Sequence, residues 1–290
     1  ARDTTLFRAY ILALLVQISI IHGLDTVGFL TVRHFEFTWL AAIVGGTIFG
    51  VGISLAGGCA SGSWYRVGEG MVGSILVVIS YALGVAATFW GAFRPITTYL
   101  RSFHAPYELG GLDGLFNLPR WILISFFLVI GGSWLWCSPR PKVYSGWSWT
   151  KTGIIIGLIS ALAWISSAGV GRNYGMSFTG PSGNIIRYLM TGQESSLNWG
   201  AWMILGVPVG AFFAASWAKE FKWRAPAPER MVKQLIGGLM MGFGAATAGG
   251  CNIGHSLTGI AALSSTSLLA TIFIIMGSWL GTYLFFMRKS

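Results

Sequence analysis

Eighteen residues of this chain occur twice. Residues 45–62 read GGTIFGVGISLAGGCASG and residues 237–254 read GGLMMGFGAATAGGCNIG, and the same offset of 192 separates Gly45 from Gly237 and Cys59 from Cys251. Identities fall at Gly45, Gly46, Gly50, Gly52, Ala56, Gly57, Gly58, Cys59 and Gly62. A register held through two cysteines marks a duplicated structural unit rather than a shared composition. Each copy reads as an apolar, glycine-spaced helix that breaks at Gly-Gly and presents one thiol. Whatever the chain folds into must therefore contain two related halves with a broken helix in each.

The solvent of that fold is lipid. Of the 290 residues only 10% are charged and 54% are hydrophobic, and the mean hydropathy is +0.66. A soluble domain carries roughly a quarter charged residues. The whole chain, 1–290, therefore reads as one all-α polytopic membrane domain with no soluble module. Stretches near the length needed to cross a bilayer can be drawn at 6–23, 38–56, 71–93, 121–136, 152–168, 199–218, 233–248 and 268–286. Eight of the nine prolines fall between these spans, and Pro208 alone lies inside one, where a kink is expected.

The net charge of +10 would point a soluble protein towards nucleic acid. Here it sets orientation instead, and no nucleic-acid partner is expected. Alternating the spans puts Arg2, Arg8, Arg66, Arg140, Lys142, Lys151, Lys219, Lys222, Arg224, Arg230, Lys233, Arg288 and Lys289 on one face, and Arg33, Arg94, Arg101, Arg120, Arg172 and Arg187 on the other. The excess of basic residues marks the first face, with the C-terminus, as cytoplasmic.

The repeat extends past the cysteine windows. Spans 6–23, 38–56 and 71–93 correspond to 199–218, 233–248 and 268–286. Residues 1–118 form the first repeat, 119–150 a linking helix and 151–290 the second repeat, which has one more span in front. An odd span count between equivalent positions inverts the second repeat relative to the first. Inverted repeats are a common transporter plan, with the binding site at midplane where broken helices meet.

The segments after the cysteines, 60–70 and 252–265, are too short and polar to span, and read as re-entrant half-helices or loops. A short helix starting after Gly-Gly-Cys aims its free N–H groups and positive dipole end at the centre. The expected centre holds Cys59, Cys251, Ser61, Ser63, Asn252 and His255, with the breaks shaped by Gly57, Gly58, Gly249 and Gly250. No acidic residue lies deep in a span to hold a cation, so no metal site is expected. A small anion suits the donors, and thiols add affinity for a soft, sulfur-like atom. The glycine-rich stretch 171–183 supplies Ser177 and Thr179 as a further wall, and Arg172 and Arg187 beside it would steer anions to the entrance. The blander readings are packing for Gly46, Gly50, Gly238 and Gly242, an inert core thiol for Cys137, and a polar outer loop for 171–183. Two alternatives compete on function: a membrane thiol redox protein using Cys59 and Cys251, opposed by the absence of a CxxC, and a soft-metal conduit using Met240 and Met241, which lacks ligands.

With GGCASGSWYRVGEG at 57–70, GRNYGMSFTG at 171–180 and GGCNIGHSLTG at 249–259, the sequence resembles the YeeE/YedE family of bacterial sulfur-compound transporters. The resemblance runs over essentially the whole chain. It implies a transporter rather than an enzyme, with no cofactor, in the bacterial inner membrane. It implies nine helices in inverted repeats and thiosulfate passed along cysteines, Cys59 and Cys251 among them, by transient S–H···S contacts. Membrane lipid and, as a candidate, a cytoplasmic sulfur-carrier protein are the other partners. The family pattern opens with a further helix and cysteine ahead of a tail like Ala1-Arg2-Asp3, so eight spans are expected in this chain and a ninth, N-terminal one is expected to be missing.

Overall fold

In lipid every backbone N–H and C=O must find a partner within the protein, and a helix satisfies them within its own segment. The computed structural model describes residues 4–33, 35–137 and 146–287, and among these all regular structure is helical. The helices are α1 (Thr5–Thr26), α2 (Trp39–Ala56), α3 (Ala60–Gly68), α4 (Val72–Phe89), α5 (Arg94–Ser102), α6 (Leu112–Phe116), α7 (Arg120–Cys137), α8 (Trp149–Ala168), α9 (Thr179–Thr191), α10 (Trp199–Trp217), α11 (Pro228–Ala248) and α12 (Ser265–Thr282), with a π-helical segment at Ile253–Gly259. Arg2, Arg140, Lys142, Arg288, Lys289, Pro139, Pro141 and the stretch Ala1-Arg2-Asp3 lie outside the described residues.

Among the described residues, seven helical stretches are long and apolar enough to cross a membrane, the second running over Trp39–Gly68 and so taking in both α2 and α3 with the break between them. The eighth expected span corresponds to α11. It starts at Pro228 rather than at 233, because proline at the first helical position costs no hydrogen bond, and its first turns carry Glu229, Arg230 and Lys233. Those charges keep it out of the apolar set.

The described helices fall into two compact units. In the first, built from the N-terminal stretch through Phe37, Pro106–Met176 and Ser256–Ser265, α1 packs on α8 and α7. Glycines allow the close approach: a methyl at Gly153 would lie 2.8 Å from the Ala9 carbonyl, and one at Gly157 would lie 2.9 Å from that of Ala13. Arg8 is buried; its Nη2 donates to the Leu135 carbonyl at 2.6 Å and its guanidinium stacks 4.5 Å from the Trp149 ring centre. Residues 256–265 pack here, with the Tyr10 hydroxyl donating to the Ser256 carbonyl and His22 Nε2 bonded to that of Ala261.

The second unit contains both Gly-Gly-Cys motifs. Its centre is α2 against α11, and their contacts are reciprocal. A methyl at Gly45 would lie 2.6 Å from Ala248 N, and a methyl at its counterpart Gly237 would lie 2.5 Å from Ala56 N. Gly52 faces Met241 N, and its counterpart Gly244 faces Phe49 N. Early residues of each helix meet late residues of the other, so the two run antiparallel. The opposite glycine faces seat the flanking helices: Gly46 and Gly50 lie on Ala270, Ile274 and Ser278 of α12, while Gly238 and Gly242 lie on Val77, Tyr81 and Val85 of α4. Packing is thus the role of these four glycines.

The segment 60–70 is helix α3, which packs on α10 with Gly68 against the Pro208 carbonyl and Ala211. The stretch 171–183 is not one loop. It remains irregular through Phe178 and then enters α9, so Thr179, Pro181 and Ser182 belong to a helix whose first turn tolerates proline.

Candidate functional site

Both broken helices end in the same way. Gly57 (φ 76°) closes α2 and Gly249 (φ 96°) closes α11, each in the left-handed region that glycine enters without strain. The Gly57 N–H returns to the Ile53 carbonyl at 3.0 Å and the Gly249 N–H to that of Ala245 at 3.0 Å. After one more glycine comes the cysteine. The Cys59 carbonyl accepts from Ser63 N at 2.9 Å and the Cys251 carbonyl from His255 N at 2.9 Å. Each thiol therefore sits at the N-cap of a short helix, the position next to that helix's unpaired N–H groups. The duplication seen in the sequence recurs in these two pairs of backbone hydrogen bonds.

The two thiols share one buried cluster. Cys251 is fully buried within it, beside Tyr81, Phe178, Ala60 and Trp64, and partly buried Cys59 packs against it. They lie within electrostatic reach of each other and of the Tyr81 hydroxyl. The Ser61 hydroxyl and the N–H groups of Ala60 and Ser61 point at Cys59, with Ser61 Oγ 3.7 Å from Sγ. Tyr81 Oη lies 3.0 Å from Thr179 Oγ1, at the first turn of α9. Three helix starts, at Ala60, Asn252 and Thr179, thus border the cluster that holds the thiols. Such a site presents dipoles and neutral donors to a small anion without a buried countercharge.

The remaining expected residues divide. Ser63 is buried and its hydroxyl is spent on the Cys59 carbonyl at 3.2 Å, which makes it part of the cap. His255 is buried with Nδ1 at 3.1 Å from Ser267 Oγ and its ring edge against Gly250, so it supports the second break. Asn252 opens the helix after Cys251 and is partly buried, and Ser177 is buried just before α9. Arg187 lies over the Trp90 ring at 5.2 Å. Arg172 belongs to the first unit; its Nη1 donates to the Tyr174 and Gly175 carbonyls at 3.1 Å each, and burial lowers its pKa from the ordinary guanidinium value. Both arginines hold local structure as well as carrying charge. Cys137 is exposed at the end of α7 and takes no part. Sequence reasoning missed Tyr81, which reads as one aromatic in an apolar span and acquires meaning only from its neighbours.

A sequence profile described as sulphur transport matches residues 1–280. The chain belongs to the sulphur-transport family. Its similarity to the thiosulfate transporter TsuA of Escherichia coli is 34% identity over 308 aligned residues, covering 99% of this chain and 86% of the relative. TsuA of Spirochaeta thermophila is 35% identical over 299 aligned residues, covering 99% of this chain and 90% of that one. The probable transporter YedE of Escherichia coli is 42% identical over 80 residues, 27% of this chain and 20% of its own. Like other members of the sulphur-transport family, this chain is a multi-pass membrane transporter and not an enzyme.

Proposed function

We propose that this protein takes up thiosulfate, or a closely related small sulfur anion, across the bacterial cytoplasmic membrane by way of Cys59 and Cys251. The observation that carries the reading is the placement of both repeated thiols at helix N-caps around one buried cluster. Thiosulfate joins a soft terminal sulfur to a sulfonate with hard oxygens. The thiol S–H is a weak donor with a polarisable atom, suited to the first, while backbone N–H groups and the Tyr81 hydroxyl suit the second. Moving a divalent anion out of water costs many kcal/mol unless such dipoles replace its hydration. Binding must also stay weak enough for release, which favours thiols and single hydrogen bonds over a salt bridge. Nothing in the passage requires a bond to sulfur to form or break.

The reciprocal α2–α11 contacts support a reading as two inverted repeats, 1–118 and 151–290, joined by the linking helix at 119–150, with α11 as the eighth span. In that arrangement the C-terminus and the Lys219–Arg230 loop face the cytoplasm, where a sulfur-carrier protein could receive the anion, and the spans face membrane lipid. In a Cys137→Ala background, Ser195→Cys should react with an impermeant thiol reagent from outside the cell. Lys222→Cys should react only after permeabilisation. Labelling of both from one side would sink the inverted arrangement.

The test of function is initial uptake of radiolabelled thiosulfate by a bacterium lacking its own sulfur-anion importers. Expression of the chain should confer saturable uptake that unlabelled thiosulfate competes away. Tyr81→Phe keeps the ring and removes one donor. A hydrogen bond to a charged group contributes about 1.5–3 kcal/mol, so apparent affinity should fall about tenfold or more while the protein still inserts. Unchanged affinity would return Tyr81 to packing.

A further inference from the structure

The helix starts at the two breaks favour an anion, but the helix ends do not. Where α2 and α11 stop, their last carbonyls present the negative end of each helix dipole beside the thiols. Each end is met by arginine. Arg101, in the last turn of α5, donates through Nε to the Thr247 carbonyl at 3.1 Å and through Nη2 to that of Ala246 at 3.0 Å. Its Nη2 lies 3.2 Å from the place a Gly249 Cβ would occupy. At the other break, Arg66 Nη1 is 3.4 Å from the Gly57 carbonyl oxygen, and Arg230 Nη2 lies 3.3 Å from the Cβ place of Gly57. The arginines come from unrelated positions, since nothing in the 192-residue offset maps Arg101 onto Arg66 or Arg230. Two halves related by duplication have thus acquired the same cation at the same spot from different elements.

We propose that Arg101 at the second break, and Arg66 with Arg230 at the first, set the charge selectivity of the pathway by cancelling the carbonyl ends of the broken helices beside the thiols. The proposal rests on the anion-uptake reading above. A bare carbonyl end next to Gly249 would repel a divalent anion approaching Cys251 and attract cations. With Arg101 seated on it, the exposed Gly249 break carries net positive charge. Arg101 is held on both sides of its charge: Thr97 Oγ1, one turn earlier in α5, bonds Thr247 Oγ1 at 3.1 Å, and the Phe103 ring packs edge-on to Trp39 of α2 with centroids 6.3 Å apart. Its field reaches His255, whose ring lies on Gly250. Burial lowers the pKa of Arg101, yet a guanidinium stays charged at any physiological pH. This is a positioning and selectivity role, not direct ligation, because two of its donors are already spent on backbone.

The experiment compares wild type, Arg101→Gln and Arg101→Lys for thiosulfate uptake against concentration, with melting of each purified full chain in detergent. Arg101→Gln should raise the apparent KM by about tenfold or more, the scale on which a charged entrance concentrates its counter-ion, with Vmax changed far less. Arg101→Lys, which restores charge but not the bidentate cap, should recover most of the affinity. Equal defects in Gln and Lys variants, tracking a lowered melting temperature, would overturn the proposal and leave Arg101 as a helix cap alone. An unchanged KM in Arg101→Gln would overturn it as well. Wild type that takes up no thiosulfate would instead remove the functional reading, and this one with it.

Discussion

Cys251→Ala should reduce thiosulfate uptake to about a tenth or less of the wild-type rate, and Cys59→Ala should do the same. On the proposed pathway each thiol is the soft contact at its break, and losing one hydrogen bond to a charged group costs about 1.5–3 kcal/mol, a tenfold to hundredfold effect. The penalty falls on the moving anion and not on the fold. Deleting one buried sulfur leaves a void smaller than a Leu→Ala cavity, for which losses of a few kcal/mol are usual, and the N-cap bonds at Cys59 and Cys251 use backbone carbonyls that alanine retains. Both variants should therefore reach the membrane and melt near wild type. Cys137→Ala should transport normally, because that thiol is exposed at the end of α7. Uptake by Cys59→Ala or Cys251→Ala equal to that of wild type, at matched expression, would end the relay and return the thiol to packing.

The largest effect on stability should come from glycine, not cysteine. A methyl at Gly50 would meet Ser278 N at 2.6 Å and Gly277 C at 2.9 Å, and one at Gly242 would meet Val85 N at 2.8 Å. These are backbone atoms of helices packed on both sides, so no side chain can swing away. Gly50→Ala and Gly242→Ala should each lose on the order of 1–3 kcal/mol by overpacking, and Gly50→Val more. Gly206 and Gly210 in α10 have nothing within 4 Å of their Cβ positions, so Gly206→Ala and Gly210→Ala should be neutral or slightly stabilising through helix propensity. Melting in detergent decides it. If Gly50→Ala melts like Gly206→Ala, the close α2–α12 approach is not what holds this unit together.

The two helix breaks were legible before any coordinates, for a local reason. A helix that ends and turns at once needs a residue free to enter the left-handed region, and Gly57 and Gly249 with φ of 76° and 96° supply it at equivalent positions. The thiol that follows then falls at an N-cap by chain geometry alone. Apolar length also set the rough bounds of the seven stretches that are long and apolar enough to cross a membrane, against eight expected, since bilayer thickness acts on each segment independently. Even so, the charged first turns of α11 blurred the eighth, because its hydropathy averages a wet end with a buried one.

What the linear chain left open was every feature that depends on which segments meet. Ser63 and Ser61 look alike two residues apart, yet one closes the helix cap and the other points at the Cys59 sulfur, since consecutive helix positions turn to different faces. Tyr81 is separated from Thr179 by 98 residues and only folding brings them within 3.0 Å. Arg101 lies 146 residues from the Thr247 carbonyl it caps. The repeat, the break and the thiols are properties of short segments, and sequence alone determined them. The donors and charges around them are long-range pairings whose partners carry no local signal, so the tertiary structure decided them.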